Sequence, residues 1–196
     1  MLAIQKYLRE KGLDAAVEEF KLVINKDGSL VQLNYSMIDS PKAAPECCEC
    51  RGLILDSSRD WEAVSFPFYR FFNEGEGPAA TIDLAKASLQ EKRDGSLITL
   101  YWHPYRERWQ PATRGRILAD GNVGKNGAKT FEQLFWEAAA GTTITEKNLE
   151  LFGKRFCYVF ELTGPENRVL TSYAKAELSL LGARRLRMAC QRSMKP

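Results

Sequence analysis

The sequence predicts an α+β fold of mostly antiparallel sheets, and three observations predict it. Short runs of aliphatic, aromatic and β-branched residues recur between polar turns, as strands joined by hairpins do. Helical spacing is clearest at the N-terminus and around residues 130–152, so the few helices stand apart from the strands instead of alternating with them. No internal repeat, low-complexity run or linker rich in Pro, Gly or Ser divides the chain. With 196 residues, 44% of them hydrophobic and 27% charged, the chain suits one sizeable core and excludes a disordered or fibrous protein. The net charge of +3 is compatible with a polyanionic partner but does not by itself argue for one.

Residues 2–20 place Ile4 and Leu8 on one turn-spaced face and Leu13, Val17 and Phe20 on the next, with Gly12 as the break between short helices. LVINKDGSLVQLNYS reads as a hairpin about Lys26-Asp27-Gly28. Cys47, Cys48 and Cys50 follow closely enough to suggest zinc. The other thiols are single and His103 is the sole histidine, so they read instead as small apolar residues entering a strand. Strands are expected over 53–55 and 63–66, joined by a polar turn over 57–60. A short helical segment through Ile82, Leu84 and Ala85 leads into SLQEKRDGSLITLYW, read as a hairpin whose tight turn is Asp94-Gly95, glycine taking φ > 0 without strain. Residues 109–113 are the returning strand.

GNVGKNGAKT invites a phosphate-loop reading, but Val123 and Ala128 stand where that motif needs glycine. It reads as a loop ending at the Thr130 N-cap. A helix over 130–140 buries Phe131, Leu134, Phe135 and Ala138, a second short helix lies about 144–152, and RFCYVFELTGPENRVLTSY and AELSLLGARRL return to strand. The closing RMACQRSMKP loses periodicity. No run approaches the roughly 20 apolar residues of a membrane span. The N-terminus carries charges where a signal peptide has its apolar core, and the odd number of cysteines, five, suits a reducing compartment. A cytoplasmic protein is predicted.

Three features carry chemistry. Lys92 stands at the mouth of the Asp94-Gly95 turn, and burial or a cationic neighbour such as Arg93 would make its amine a nucleophile; the plain alternative is a solvated hairpin lysine. Lys26, which Asp27 follows directly, lacks the Lys-x-Asp-Gly spacing. Arg51 and Arg70 flank an aromatic cluster and could grip phosphate in bidentate fashion, or serve as solvated strand ends. Glu161 interrupts an apolar run, so its carboxylate needs either a structural hydrogen bond or a ligand.

Five segments in order, CRGLILD with Arg51, FYRFFNEGE with Arg70 and Asn73, EKRDGSL with Lys92, ATRG with Arg114, and YVFELTGPENRVL with Glu161, together resemble the adenylyltransferase domain of ATP-dependent RNA ligases of the phage T4 RNA ligase 1 type. The resemblance implies a nucleotidyltransferase (ATP-grasp-like ligase) core over residues 49–185, with 1–48 as an N-terminal helix and hairpin extension. It implies that Lys92 takes AMP from ATP, that the AMP passes to an RNA 5′-phosphate, and that a 3′-hydroxyl displaces it, with Mg2+ assisting. Arg51 and Arg114 would lie against phosphate or ribose, Asp94 would support the lysine, and Glu161 would bind ribose or metal. Arg70 and Asn73 would contact phosphate or RNA. The alternatives are a DNA ligase or mRNA-capping-type nucleotidyltransferase, or a nucleic-acid-binding module without chemistry. The family's distal Glu-Gly-x-Val and Lys-x-Lys motifs do not occur after Ser172. An incomplete catalytic domain with little activity alone is therefore expected.

Overall fold

In the computed structural model, which describes residues 1–124, 127–142, 144 and 146–186, ten strands and five short helices alternate with irregular stretches. Gly12, at φ 85°, separates α1 (Ala3–Lys11) from α2 (Leu13–Phe20). The strands β1 (Leu22–Asp27) and β2 (Leu30–Tyr35) form the expected hairpin, and Gly28 supplies its left-handed residue at φ 59°. After α3 (Pro45–Glu49) come β3 (Arg51–Asp56) and β4 (Glu62–Ser65), giving an antiparallel sheet in the order β1-β2-β3-β4. The second sheet is built from β5 (Ser96–His103), β6 (Arg108–Thr113), β9 (Phe156–Thr163) and β10 (Glu177–Arg185) in the order β10-β9-β5-β6. Between them in sequence lie the two-residue β7 (Asn122–Val123) and β8 (Lys129–Thr130), then α4 (Phe131–Ala140) and α5 (Glu146–Leu149).

Side-chain alternation explains how the layers stack. Val31, Leu33 and Tyr35 of β2, with Leu53 and Leu55 of β3, pack under α1, α2 and α3. The alternate residues Leu30 and Ile54 meet Tyr101, Ala112 and Cys157 of the second sheet. Ile98, Leu100, Phe160 and Leu162 cover the far side of that sheet beneath α4. Every residue of β2 is consequently buried, as expected of a strand covered on both faces. Its polar members are satisfied across the gap, Gln32 Nε2 donating to Thr113 O at 2.9 Å and Asn34 Nδ2 to Arg114 O at 2.8 Å.

Thr130 caps α4 as expected: its Oγ1 accepts from Gln133 N at 3.2 Å, while Gln133 Oε1 accepts from Thr130 N at 2.8 Å. Cys47 and Cys48 lie in α3 and Cys50 at its C-cap, immediately before β3. The segment through Ile82, Leu84 and Ala85 is a turn and not a helix. Ile82 and Leu84 are exposed, and so short a segment cannot hold helical structure without packing an apolar face. Nor is there a hairpin at Asp94-Gly95. Both edges of β5 are already taken, by β6 and β9, so the residues before Ser96 have no sheet edge to join. Lys125 and Asn126 of the glycine-rich stretch, and the closing RMACQRSMKP beyond Leu186, lie outside the described residues.

Two buried polar groups yield tests of the fold. Glu49, from α3, accepts from Ala3 N at 3.1 Å and Ile4 N at 2.9 Å, capping α1 from across the chain. Removing it leaves two helix N–H groups bare, so Glu49→Ala should lower stability by about 1–3 kcal/mol in urea unfolding. At the β5–β6 turn, His103 Nδ1 accepts from Tyr105 N and Arg106 N at 3.3 and 3.2 Å, which leaves Nε2 to donate to Asp27 at 3.1 Å. Burial pushes this imidazole below its ordinary value against the pull of Asp27, with Arg106 and Arg108 adding to the depression.

A depressed histidine contributes stability above its unfolded value of about 6.5 and withdraws it as pH falls. Protonation of Nδ1 would also strip two backbone donors of their acceptor. Glu49 and Glu161, both raised by burial, act in the opposite sense as pH falls toward their unfolded values. The difference between wild type and His103→Gln therefore isolates the histidine. Unfolding at pH 7 and pH 5 should show the wild type losing more stability than the variant.

Candidate active site

The strand registers bring separated segments to one end of the paired sheets. Ser96, at the start of β5, pairs with Leu162, and Ile98 pairs with Thr113 at the end of β6. Lys92, Asp94, Glu161 and Arg114 are thereby neighbours of one strand end. In the other sheet Asn34 pairs with Arg51, so β2 finishes where β3 begins. Asn34 joins the two sheets: its Oδ1 accepts from Gly52 N at 2.8 Å while its amide holds Arg114 O. Gly52 adopts φ 79°, and a Cβ there would sit 3.5 Å from Arg114 Cα.

Tyr35 is the platform of this end. The Arg114 guanidinium lies 4.7 Å from its ring centroid and that of Arg70 lies 5.7 Å from it, distances at which a cation is held by the aromatic face. Arg51 lies 4.9 Å from the Phe71 ring. Burial lowers the Arg51 pKa and the charge of Arg114 adds to this, while Tyr35 and Glu161 oppose it. Its Nη1 is buried and has no hydrogen-bond partner among the described residues. Arg70 is held by Glu76 at 3.2 Å and by Lys42 O at 3.3 Å, and Asn73 donates to the same Glu76 at 2.9 Å.

Glu161 is half-buried and accepts from Gly95 N at 3.0 Å. Burial pushes its carboxyl up; the Gly95 N–H, Lys92 and Arg51 pull it back, and Asp94 adds a little to the rise. Asp94 is held below the usual carboxylate range by the backbone N–H groups of Thr171 and Leu170, both 2.6 Å from Oδ2, and by the charge of Lys92. Lys92 itself is exposed, and Arg93, the cationic neighbour considered from sequence, turns away to Glu177 at 2.7 Å. Lys26 lies elsewhere, exposed on the outer strand β1 beside Asp27 and hence at the His103 end.

The arrangement suits a polyphosphate. Arg51, Arg114 and Lys92 gather positive charge, and the partnerless Arg51 nitrogen calls for an anionic acceptor, since a buried donor without one costs about 1–3 kcal/mol. Among the described residues no three acidic, His or Cys side chains form a metal cluster. A single carboxylate at Glu161 fits a magnesium ion that takes its remaining ligands from phosphate and water. Neither of the two largest cavities described, of about 960 and 850 Å3, is lined by these residues. Tyr35 and Asn34 were not identifiable from sequence. LVQLNY reads as a strand with a solvated polar face, and nothing local shows that a second sheet covers that face.

An α+β fold of mostly antiparallel sheets with few helices is consistent with a nucleotidyltransferase-type ligase domain. Residues 49–194 match the family model of RNA ligases of the T4 RNA ligase 1 type, and the chain belongs to that family. The RNA ligase of Rhodothermus phage RM378 is 33% identical, over 69% of this chain and 36% of that protein. A protein named a bifunctional polynucleotide kinase/RNA ligase, from Autographa californica nuclear polyhedrosis virus, is 31% identical over 88% of this chain and 26% of its own length. The chain thus spans about a third of these relatives or less.

Proposed function

We propose that this chain carries the lysine-adenylating site of an ATP-dependent RNA ligase. The observation that supports the reading best is the exposed Lys92 near Glu161, a carboxyl that also feels the charge of the half-buried Arg51, whose Nη1 lacks a partner among the described residues. The Lys92 amine attacks the α-phosphorus of ATP; the N–P bond forms, the bond to the pyrophosphate oxygen breaks, and the amine gives up a proton. Little covalent work falls to other residues, so catalysis rests on placement and on neutralising charge at the phosphate. Arg51 and Arg114 hold phosphate or ribose, and Glu161 holds ribose or the magnesium ion, which when bound would screen the phosphate oxygens. An RNA 5′-phosphate then accepts the AMP and a 3′-hydroxyl displaces it. Arg70 and Asn73, already bridged by Glu76, are assigned to phosphate or RNA contact.

Four cysteines among the described residues are free thiols, which suits a cytoplasmic setting. No helix among the described residues is long and apolar enough to cross a membrane. The test is incubation with α-labelled ATP and magnesium, followed by mapping of the labelled peptide. Label on Lys92 from ATP and not from GTP supports the RNA ligase over a capping-type enzyme, and sealing of RNA over DNA ends separates it from a DNA ligase. RNA binding with no label would favour the binding module without chemistry.

A further inference from the structure

The segment that presents Lys92 has no ladder of its own. Residues 87–95 form neither helix nor strand, apart from a bend at Gly95, and the edges of β5 are occupied. The place of the lysine backbone therefore depends on what holds the residues after it. Much of that support comes from the connection between β9 and β10, 70 to 80 residues further on. Tyr173 Oη accepts from Asp94 N at 3.0 Å, and Asp94 Oδ2 accepts from Leu170 N and Thr171 N. Ser96 Oγ donates to Asn167 Oδ1 at 2.9 Å, while Asn167 Nδ2 donates to Leu162 O at 2.6 Å. Leu162 O can only accept, so it fixes which end of the carboxamide faces Ser96. Asn167 is buried, at 6% exposure, although it lies in a loop.

From this geometry we propose that Asn167 and Tyr173 are positioning residues for Lys92, clamping the backbone at Asp94 and Ser96 so that the amine is presented from a fixed root. The inference rests on Lys92 being the nucleophile, as argued above. A lysine side chain rotates about four bonds, so the only part of it the fold can fix is its Cα. A displacement of about 1 Å at a reacting group can cost about 10²-fold in rate. The sheet holds this stretch through Glu161 to Gly95 N and through Glu177 of β10 to Arg93; the loop supplies the bonds at Asp94 and Ser96.

The experiment compares wild type, Tyr173→Phe and Ser96→Ala, each expressed with any coding sequence that continues past Pro196. Two readouts are needed: amide hydrogen exchange, and the rate of label uptake from α-labelled ATP over a range of ATP concentrations. Tyr173→Phe leaves the Asp94 N–H without its acceptor, so exchange at Asp94 should quicken by about tenfold or more while Leu100 and Tyr101 in β5 are unchanged. The maximal labelling rate should fall by about tenfold with the half-saturating ATP concentration unaltered. Ser96→Ala should show a smaller loss of the same kind. Unchanged exchange at Asp94 would overturn the clamp. Faster exchange with an unchanged maximal rate, or a loss confined to half-saturation, would overturn the positioning role. If exchange responds but the wild type takes no label at Lys92, the nucleophile assignment fails, and the positioning role with it, although the clamp itself would stand.

Discussion

Lys92→Ala is expected to remove covalent label from α-labelled ATP altogether, and Lys92→Arg is expected not to restore it. Alanine offers no atom to bond to phosphorus. Arginine keeps the charge and much of the reach, but its guanidinium stays protonated and cannot attack. Lys92 is exposed, and among the described residues its charge acts on Glu161 and Asp94 without a close ion pair. Replacing it should therefore change stability by no more than about 0.5 kcal/mol, and the loss of label can be read as lost chemistry. The protein is best assayed with any coding sequence that follows residue 196, because the chain spans about a third or less of the relatives named above. Label that survives Lys92→Ala, on Lys26 or Lys86 for example, would remove the mechanism.

Much of this site was legible in the sequence because its residues break local rules. Glu161 stands out as an acid in an apolar strand, and in the structure it is half-buried against the Gly95 amide. Arg51 stands out as a strand-end cation beside aromatics, and it stacks on Phe71. The antiparallel strands and α4 were legible for a different reason, since alternation and 3.6-residue spacing are local properties. What could not be read depends on partners distant in sequence. Tyr35 is an unremarkable end to β2 until β6 delivers Arg114 to its face. The hairpin expected at Asp94-Gly95 failed because strand pairing is a competition, and β6 and β9 already flank β5. The turn residues there are real, but what they accommodate is a close approach between two stretches of chain.

That close approach makes Gly95→Ala the other substitution with a large expected effect. A Cβ on Gly95 would lie 2.2 Å from Leu162 O and 2.9 Å from Leu162 C. Both are backbone atoms of β9, which is held on one side by β10 and on the other by β5, so neither can withdraw without breaking a ladder. The chain must instead carry Gly95 away from β9, which pulls its N–H off Glu161 and shifts Lys92. Overpacking of this kind costs about 1–3 kcal/mol or more, and a shift of about 1 Å at the nucleophile costs about 10²-fold in labelling rate.

Gly28→Ala is the control, because Gly28 has the left-handed φ of 59° but nothing within 4 Å of its missing Cβ. It should lose about 1–2 kcal/mol from backbone strain and keep its labelling rate. Gly95 does not share that left-handed conformation. If clearance from Leu162 is what Gly95 supplies, the two variants will separate clearly, with label nearly lost in one and kept in the other. Wild-type labelling by Gly95→Ala would show that β9 and the Lys92 segment can move apart without harm, and that the contact between Gly95 and Glu161 does not hold the nucleophile.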